Sequence, residues 1–117
     1  MIRLIYILII VFSPATWGAD DGALLFNGNC ATCHHLQKAS SAPTIYEVRQ
    51  RYLQAFPDKK DFIKYMSDFV LNPSSKKSLM HDKIEKYGLM PQLAFEKGSV
   101  RSIASYIYKG RIEATTK

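Results

Sequence analysis

Cys30, Cys33 and His34 form the one group in this chain whose residue types and spacing point to shared chemistry. They lie in the segment Cys30-Ala31-Thr32-Cys33-His34, which has the pattern C-x-x-C-H. If this segment is helical, residues three and four apart share a face, so both thiols and the imidazole lie on the same side. C-x-x-C-H is the attachment pattern of a c-type haem, in which the cysteines form thioethers with the porphyrin and the histidine binds the iron. The motif therefore predicts one haem c, bound covalently through Cys30 and Cys33.

Two other uses of a C-x-x-C pair fit the chain less well. A redox disulfide of the thioredoxin type opens a helix after a strand, but residues 20–29 show no strand-like alternation. A zinc site needs a second pair of ligands at suitable spacing. The chain has no further cysteine, and its only other histidines are His35 and His81.

Residues 1–19 have the pattern of a secretory signal peptide. Arg3 provides the short positive region, and Leu4 to Phe12 form an apolar run that is short for a membrane span. The cleavage point stays open, because a cut after Ala15 or after Gly18 places small residues at the positions that signal peptidase reads. A cut after Ala19 would instead place bulky Trp17 at one of these positions. An uncleaved anchor is the alternative. Either way, the sequence predicts that the functional domain is exported to the periplasm.

Residues 20–117 are predicted to form one all-α domain. No internal repeat or low-complexity linker divides them, and no alternating β-branched run is long enough for a strand. Apolar residues recur at helical spacing, which predicts about four or five short helices around the haem. A domain of this size is marginally stable alone, so a porphyrin is expected to complete its core. The predicted helices run from Asp20 or Asp21 toward Cys30, from the cap Thr44 through Phe56, from the cap Asp58 to Asn72, from Ser74 or Ser75 to Gly88, and from Ser99 to Gly110.

These features resemble the class I monohaem cytochromes c over essentially the whole of residues 20–117. Gly22 and Phe26 match the family's glycine and aromatic residue on the first helix, and Tyr106 matches the aromatic residue that they meet on the last helix. A glycine at such a crossing lets two helix backbones approach closely. The resemblance implies the small cytochrome c fold, with its first and last helices in contact at Phe26 and Tyr106.

The resemblance also implies a role for Pro43. Members of the family have a proline a few residues after the haem histidine, and its carbonyl accepts the remaining N–H of that imidazole. Pro43, in Ala42-Pro43-Thr44, matches this proline. Such a hydrogen bond fixes the orientation of the ring and raises its basicity toward iron. We therefore expect the Pro43 carbonyl to accept a hydrogen bond from His34.

The second axial ligand is predicted to be Met90. The segment Gly88-Leu89-Met90-Pro91 resembles the family's distal segment, where a methionine followed by proline precedes the final helix. A neutral thioether favours ferrous iron, so ligation by His34 and Met90 implies a raised reduction potential. Met66 is expected to be a core residue and His81 a surface residue. Met80, placed on a regular helix by the prediction above, is either a core residue or a second ligand that could replace Met90.

With both axial positions filled, the iron has no open position for a substrate. The resemblance therefore implies a one-electron carrier that does no bond-making chemistry, and not an enzyme. Two alternatives stay open. The first is a gas-binding or peroxide-reacting haem protein in which Met90 is displaced from the iron, and the second is a small haem subunit of a larger oxidoreductase.

The chain is basic, with 16 Lys and Arg residues against 10 Asp and Glu and a formal net charge of +6. Loss of the predicted leader would remove only Arg3 from this balance. Such a surface predicts redox partners with acidic docking surfaces. Binding to nucleic acid is not expected of an exported haem protein, and membrane contact is expected only through partner complexes or an uncleaved signal segment. The lysines expected to surround the haem edge are Lys59, Lys60, Lys64, Lys76, Lys77, Lys83, Lys86 and Lys97.

Overall fold

Five α-helices form the regular structure of the described chain. The computed structural model describes residues 21–36 and 38–112, so the predicted signal peptide at residues 1–19 lies outside the described residues. Within those ranges there is no strand, and the prediction of an all-α fold is confirmed. The helices are α1 (Asp21–Asn29), α2 (Ile45–Ala55), α3 (Lys59–Leu71), α4 (His81–Tyr87) and α5 (Lys97–Lys109).

The second and third helices begin at the residues that their sequences predicted. The Thr44 hydroxyl accepts a hydrogen bond from the backbone N–H of Glu47, and Thr44 is the N-cap of α2. The Asp58 carboxylate accepts from the backbone N–H groups of Lys60 and Asp61 at the start of α3. Both caps satisfy amide groups that have no partner within the helix.

The predicted start of the fourth helix at Ser74 or Ser75 is wrong, because α4 begins only at His81. The residues from Ser74 to Ser78 form a turn, in which the Ser74 hydroxyl accepts a hydrogen bond from the backbone N–H of Lys77. The buried Ser78 hydroxyl then accepts from the backbone N–H of Met80. Serine hydroxyls compete with helical hydrogen bonds in this way, which is why an apolar pattern alone misplaced the helix.

The last helix begins at Lys97, two residues before the predicted start at Ser99. Its N-cap is Glu96, whose carboxylate accepts from the backbone N–H groups of Gly98 and Ser99 at 2.8 Å each. The Ser99 hydroxyl donates to the same carboxylate. Ser99 therefore belongs to the first turn of α5 and supports its cap instead of forming it.

Helix α5 lies at the centre of the packing, because α1, α2 and α3 all contact it. Gly22 and Phe26 are buried on α1, and the ring centroids of Phe26 and Tyr106 are 5.7 Å apart. The predicted crossing of the first and last helices is therefore present. The apolar core around this crossing consists of Phe26, Ile45, Tyr52, Phe62, Met66, Ile103, Ala104, Tyr106, Ile107 and Ile112.

A side chain of α2 also holds that helix to the end of α5. The Arg49 guanidinium donates to the backbone carbonyls of Ile107 and Tyr108 at 2.9 and 3.1 Å. These carbonyls lie in the last turn of α5, where carbonyl groups lack partners within the helix. Helix α2 is therefore fixed in place relative to the core.

Candidate functional site

The C-x-x-C-H motif lies on a turn directly after α1. The backbone N–H of Cys30 donates to the Phe26 carbonyl, and the backbone N–H of His34 donates to the Cys30 carbonyl at 2.8 Å. Helix α1 ends at Asn29, so the motif is not part of the regular helix. The bond from His34 to Cys30 still closes one helical turn, and this keeps the two residues on one side of the chain.

His34 is oriented by a hydrogen bond to Pro43. Its Nδ1 atom lies 2.9 Å from the Pro43 carbonyl oxygen. A carbonyl only accepts hydrogen bonds, so Nδ1 carries the proton and Nε2 keeps its lone pair. The hydrogen bond implied by the family resemblance is therefore present. Burial lowers the pKa of His34, and the bond to Pro43 opposes that shift in part. A neutral imidazole with a free Nε2 atom is the form that binds iron.

Cys30 and Cys33 are both free thiols, the first half-buried and the second exposed. Burial, with a smaller effect of the neighbouring Cys33, raises the pKa of Cys30 to about 11. Reactive thioredoxin-type cysteines have lowered pKa values, because the thiolate is their nucleophile. The environment of Cys30 therefore does not favour disulfide chemistry.

A cavity of about 250 Å³ opens beside the motif. Cys30, Cys33, His34 and Pro43 contribute to its wall, and most of the remaining lining is apolar. Two thiols, one imidazole nitrogen and an apolar enclosure match the needs of a flat, mostly apolar tetrapyrrole with one central metal ion. The residues present therefore fit a covalent haem c. The apolar lining residues include Ile45, Val48, Met66, Phe69, Val70, Leu79, Ile84, Leu89, Leu93, Phe95, Val100 and Ile107.

Both Met80 and Met90 line this cavity. Met90 is half-buried in the irregular segment between α4 and α5, as the sequence predicts. Met80 is buried and precedes α4 with a non-helical backbone, so the prediction that it lies on a regular helix is wrong. Met66 belongs to the core cluster, as expected, and also contributes to the cavity wall. His81 is exposed, again as expected.

Two ion pairs between α2 and α4 were missed by the sequence reasoning. Arg51 pairs with Asp82 at 2.9 Å, and Lys83 pairs with Glu47 at 2.9 Å. Lys83 is the one member of the eight predicted lysines that contributes to the described cavity wall, while the other seven are exposed. Glu47 and Arg51 are four residues apart, which places them on one face of α2. That spacing could be read from the sequence, but the sequence did not identify Lys83 and Asp82 on α4 as their partners.

Neither a metal-binding cluster nor a membrane-spanning helix occurs in the part of the chain that the structure describes. Within residues 21–36 and 38–112, there is no cluster of three or more His, Cys, Asp or Glu side chains suited to a metal ion. No helix within these ranges combines the length with the hydrophobicity that a membrane span needs.

Comparison with known proteins identifies one family. A sequence model described as Cytochrome c matches residues 19–109, which include the motif, the cavity and all five helices. No curated protein and no solved structure was found to match the chain.

Proposed function

The chain belongs to the cytochrome c family, and from this premise we propose that it is a periplasmic one-electron carrier with one covalent haem c. The resemblance to class I cytochromes c is thereby confirmed, and the family implies haem-based electron transfer. The haem, when bound, supplies an iron that cycles between its ferrous and ferric states. The observation that carries the proposal is the orientation of His34, whose Nδ1 atom donates to Pro43 beside a cavity lined by both thiols.

In this proposal each residue of the site has its own role. Cys30 and Cys33 would hold the porphyrin through thioether bonds, and His34 would bind the iron through Nε2. The Pro43 carbonyl keeps the imidazole in one orientation and raises its basicity. An apolar wall excludes water from the iron and influences its potential. The site requires no group that transfers protons or forms bonds to a substrate.

Met90 is proposed as the second residue that would bind the iron. Its segment has no regular structure between Tyr87 and Lys97, so no helical hydrogen bonds fix the backbone of Met90. Met80 is more constrained. Its N–H donates to the Ser78 hydroxyl, and its carbonyl accepts from Lys83 and Ile84 in the first turn of α4. These bonds support Met90 as the ligand and Met80 as part of the cavity wall.

The test replaces Met90, Met80 and His81 by alanine one at a time in protein matured with haem. Only Met90→Ala should remove the weak near-infrared band of ferric methionine ligation and convert the iron to a high-spin or water-ligated form. Its reduction potential should fall as well, because a neutral sulfur ligand favours ferrous iron. Absorption spectra and potentiometric titration measure both effects. His81→Ala is the matched control, because its side chain is exposed.

Three results would contradict parts of the proposal. An equal effect of Met80→Ala would overturn the assignment of the ligand. Rapid binding of carbon monoxide by the native ferrous protein would favour the gas-binding or peroxide-reacting alternative, since it requires an open position at the iron. A colourless product without the mass of an attached haem would remove the basis of the function altogether.

The partners and location follow from the same proposal. The signal peptide at residues 1–19 would deliver the chain to the periplasm, where it would exchange electrons with other redox proteins. Seven exposed lysines and the positive net charge support partners with acidic docking surfaces. The small haem subunit of a larger oxidoreductase would use the same surface, but in a permanent complex.

A further inference from the structure

Helix α4 is held to the protein in a different way from the other helices. None of the other described helices packs closely against it, and none of its residues is buried. The residues of α4 that line the cavity are Lys83, Ile84 and Tyr87. Its inner side therefore faces the space assigned to the haem, and the usual apolar contact between helices does not fix its position.

Two ion pairs connect α4 to α2 instead. The Arg51 guanidinium donates through Nη1 and Nη2 to the two carboxylate oxygens of Asp82, at 3.2 and 2.9 Å. The Lys83 ammonium lies 2.9 Å from Glu47 Oε1. The Arg51–Asp82 pair is bidentate, which is the best geometry that surface ion pairs reach. We refer to Glu47, Arg51, Asp82 and Lys83 together as the ionic latch.

The latch connects the two walls of the cavity. Helix α2 begins two residues after Pro43, whose carbonyl holds His34, and its Arg49 side chain is anchored on the carbonyls of α5. Helix α4 ends three residues before Met90. The position of α4 relative to α2 therefore sets the distance between the segment that holds His34 and the segment that carries Met90.

We propose that the ionic latch positions Met90 over the iron, with Arg51 and Asp82 as its main positioning residues. This rests on the proposed function, in which Met90 is the second ligand. Without the latch, α4 moves away from α2 more readily, and a small external ligand displaces Met90 more easily. The effect is electrostatic, so added salt weakens the latch as well.

The experiment measures the affinity of imidazole for the ferric haem-loaded protein, with displacement of the methionine band as the signal. Imidazole is chosen because much of it is uncharged near pH 7.5 to 8, which limits direct effects of protein charge on the probe. Arg51→Gln should raise the affinity about two- to fivefold, as expected for one exposed ion pair. Arg101→Gln removes the same charge from the exposed face of α5 and should have no such effect.

Exchanging the charges of Arg51 and Asp82 separates the effect of their pairing from the effect of each charge alone. Arg51→Asp and Asp82→Arg should each raise the affinity for imidazole, and the double variant should return it close to the native value. In the native protein the affinity should rise with salt, while in Arg51→Gln it should rise less. This salt series needs no variant that exchanges a charge, so it decides the question even if a charge-reversed chain folds poorly.

Two failures have different meanings. If Arg51→Gln behaves like Arg101→Gln and salt has no effect on imidazole affinity, the latch does not position Met90 and this inference is overturned. If the native ferric protein shows no methionine band before imidazole is added, Met90 is not the ligand and the assignment under the proposed function is wrong. The latch then has no methionine ligand to position, which is a separate reason for failure.

Discussion

At the scale of single residues, Gly88 determines how the chain leaves α4 toward Met90. Its backbone has φ = 82° and ψ = 170°, a region that is essentially restricted to glycine. A Cβ atom at Gly88 would have no heavy atom within 4 Å, so space is not the reason for a glycine here. The requirement for glycine therefore comes from the backbone conformation alone. Gly88 lies two residues before Met90, the proposed ligand.

Gly88→Ala should therefore weaken both the fold and the ligation by Met90. The strained conformation should lower the free energy of unfolding by about 1 to 3 kcal/mol, and relief of that strain should shift the Met90 segment. Denaturant unfolding and the near-infrared methionine band measure the two effects. Gly28→Ala is the matched control, because Gly28 also has open space around it but lies within α1.

For Gly28→Ala we expect a free energy of unfolding that is unchanged or higher by up to about 1 kcal/mol, since alanine is the better helix former. The methionine band should be unaffected. If Gly88→Ala unfolds like Gly28→Ala and keeps its band, the backbone at residue 88 is not what directs Met90.

The residue scale also shows what sequence reasoning can reach. Cys30, Cys33 and His34 were recognisable because one helical turn relates them, and that relation depends on spacing alone. The bond from His34 to Pro43 spans nine residues and was expected only through the resemblance to a family. The pair of Arg51 with Asp82 spans 31 residues, and it depends on how α2 and α4 meet, which no local pattern contains.

At the scale of elements, the sequence predicted about four or five helices in the observed order, but it misplaced the starts of α4 and α5. The caps Thr44 and Asp58 are residue types strongly preferred at a helix N-terminus, and both were identified. Glu96 is not one of these types, so the prediction moved the start of α5 to Ser99. Gly98 helps to explain the exception, because a Cβ atom there would lie 3.1 Å from the Glu96 carboxylate.

The cap at Glu96 leads to a prediction about the stability of α5. Glu96→Ala should lower the midpoint of thermal unfolding by a few degrees, because the N–H groups of Gly98 and Ser99 lose their acceptor. Glu96→Gln is the matched control, since it keeps an oxygen acceptor without the charge. Its midpoint should lie between those of the native protein and Glu96→Ala, as measured by circular dichroism.

The same cap gives a pH dependence with a defined sign. Hydrogen bonds from Gly98 and Ser99 lower the pKa of Glu96 in the folded protein below its ordinary value. The stabilisation is therefore complete above the ordinary pKa of glutamate and disappears as the pH falls through the lowered value. Native protein and Glu96→Ala should accordingly converge in stability in acid. A difference that stays constant with pH would show that the carboxylate is not the cap.

At the scale of the whole molecule, the core is divided between two kinds of contact. The crossing of α1 and α5, with α3 beside it, buries side chains directly against one another. Around the cavity, in contrast, apolar side chains line a space of about 250 Å³. A sequence predicts which residues are apolar but not which of them face a cofactor. The expectation that a porphyrin completes this core agrees with the lining of the cavity.

The net charge leads to a prediction about long-range electrostatics. The formal charge of +6 falls by one when Arg3 leaves with the signal peptide and falls further with the haem propionates, but it stays positive, and its field extends well beyond the cavity at low salt. Oxidation of the ferrous protein by an anionic metal complex such as ferricyanide should slow severalfold between about 0.01 M and about 0.15 M salt. Oxidation by a cationic cobalt phenanthroline complex should become faster over the same range. Stopped-flow kinetics at each salt concentration measures both rates. Opening of the ionic latch by salt would change the two rates in the same direction, so opposite signs identify the net charge as the cause.

Lysine substitutions locate the part of the surface where this field acts. Lys86 is exposed in the last turn of α4, and its ammonium lies over the ring of Tyr87, a residue of the cavity wall. Lys60 is exposed in the first turn of α3, whereas α3 reaches the cavity only through residues nearer its other end. Electron transfer to an anionic reagent through the haem edge should therefore slow more in Lys86→Gln than in Lys60→Gln, although both remove one charge. Equal losses would mean that only the total charge steers the reagent, and a greater loss in Lys60→Gln would place the site of electron transfer away from α4.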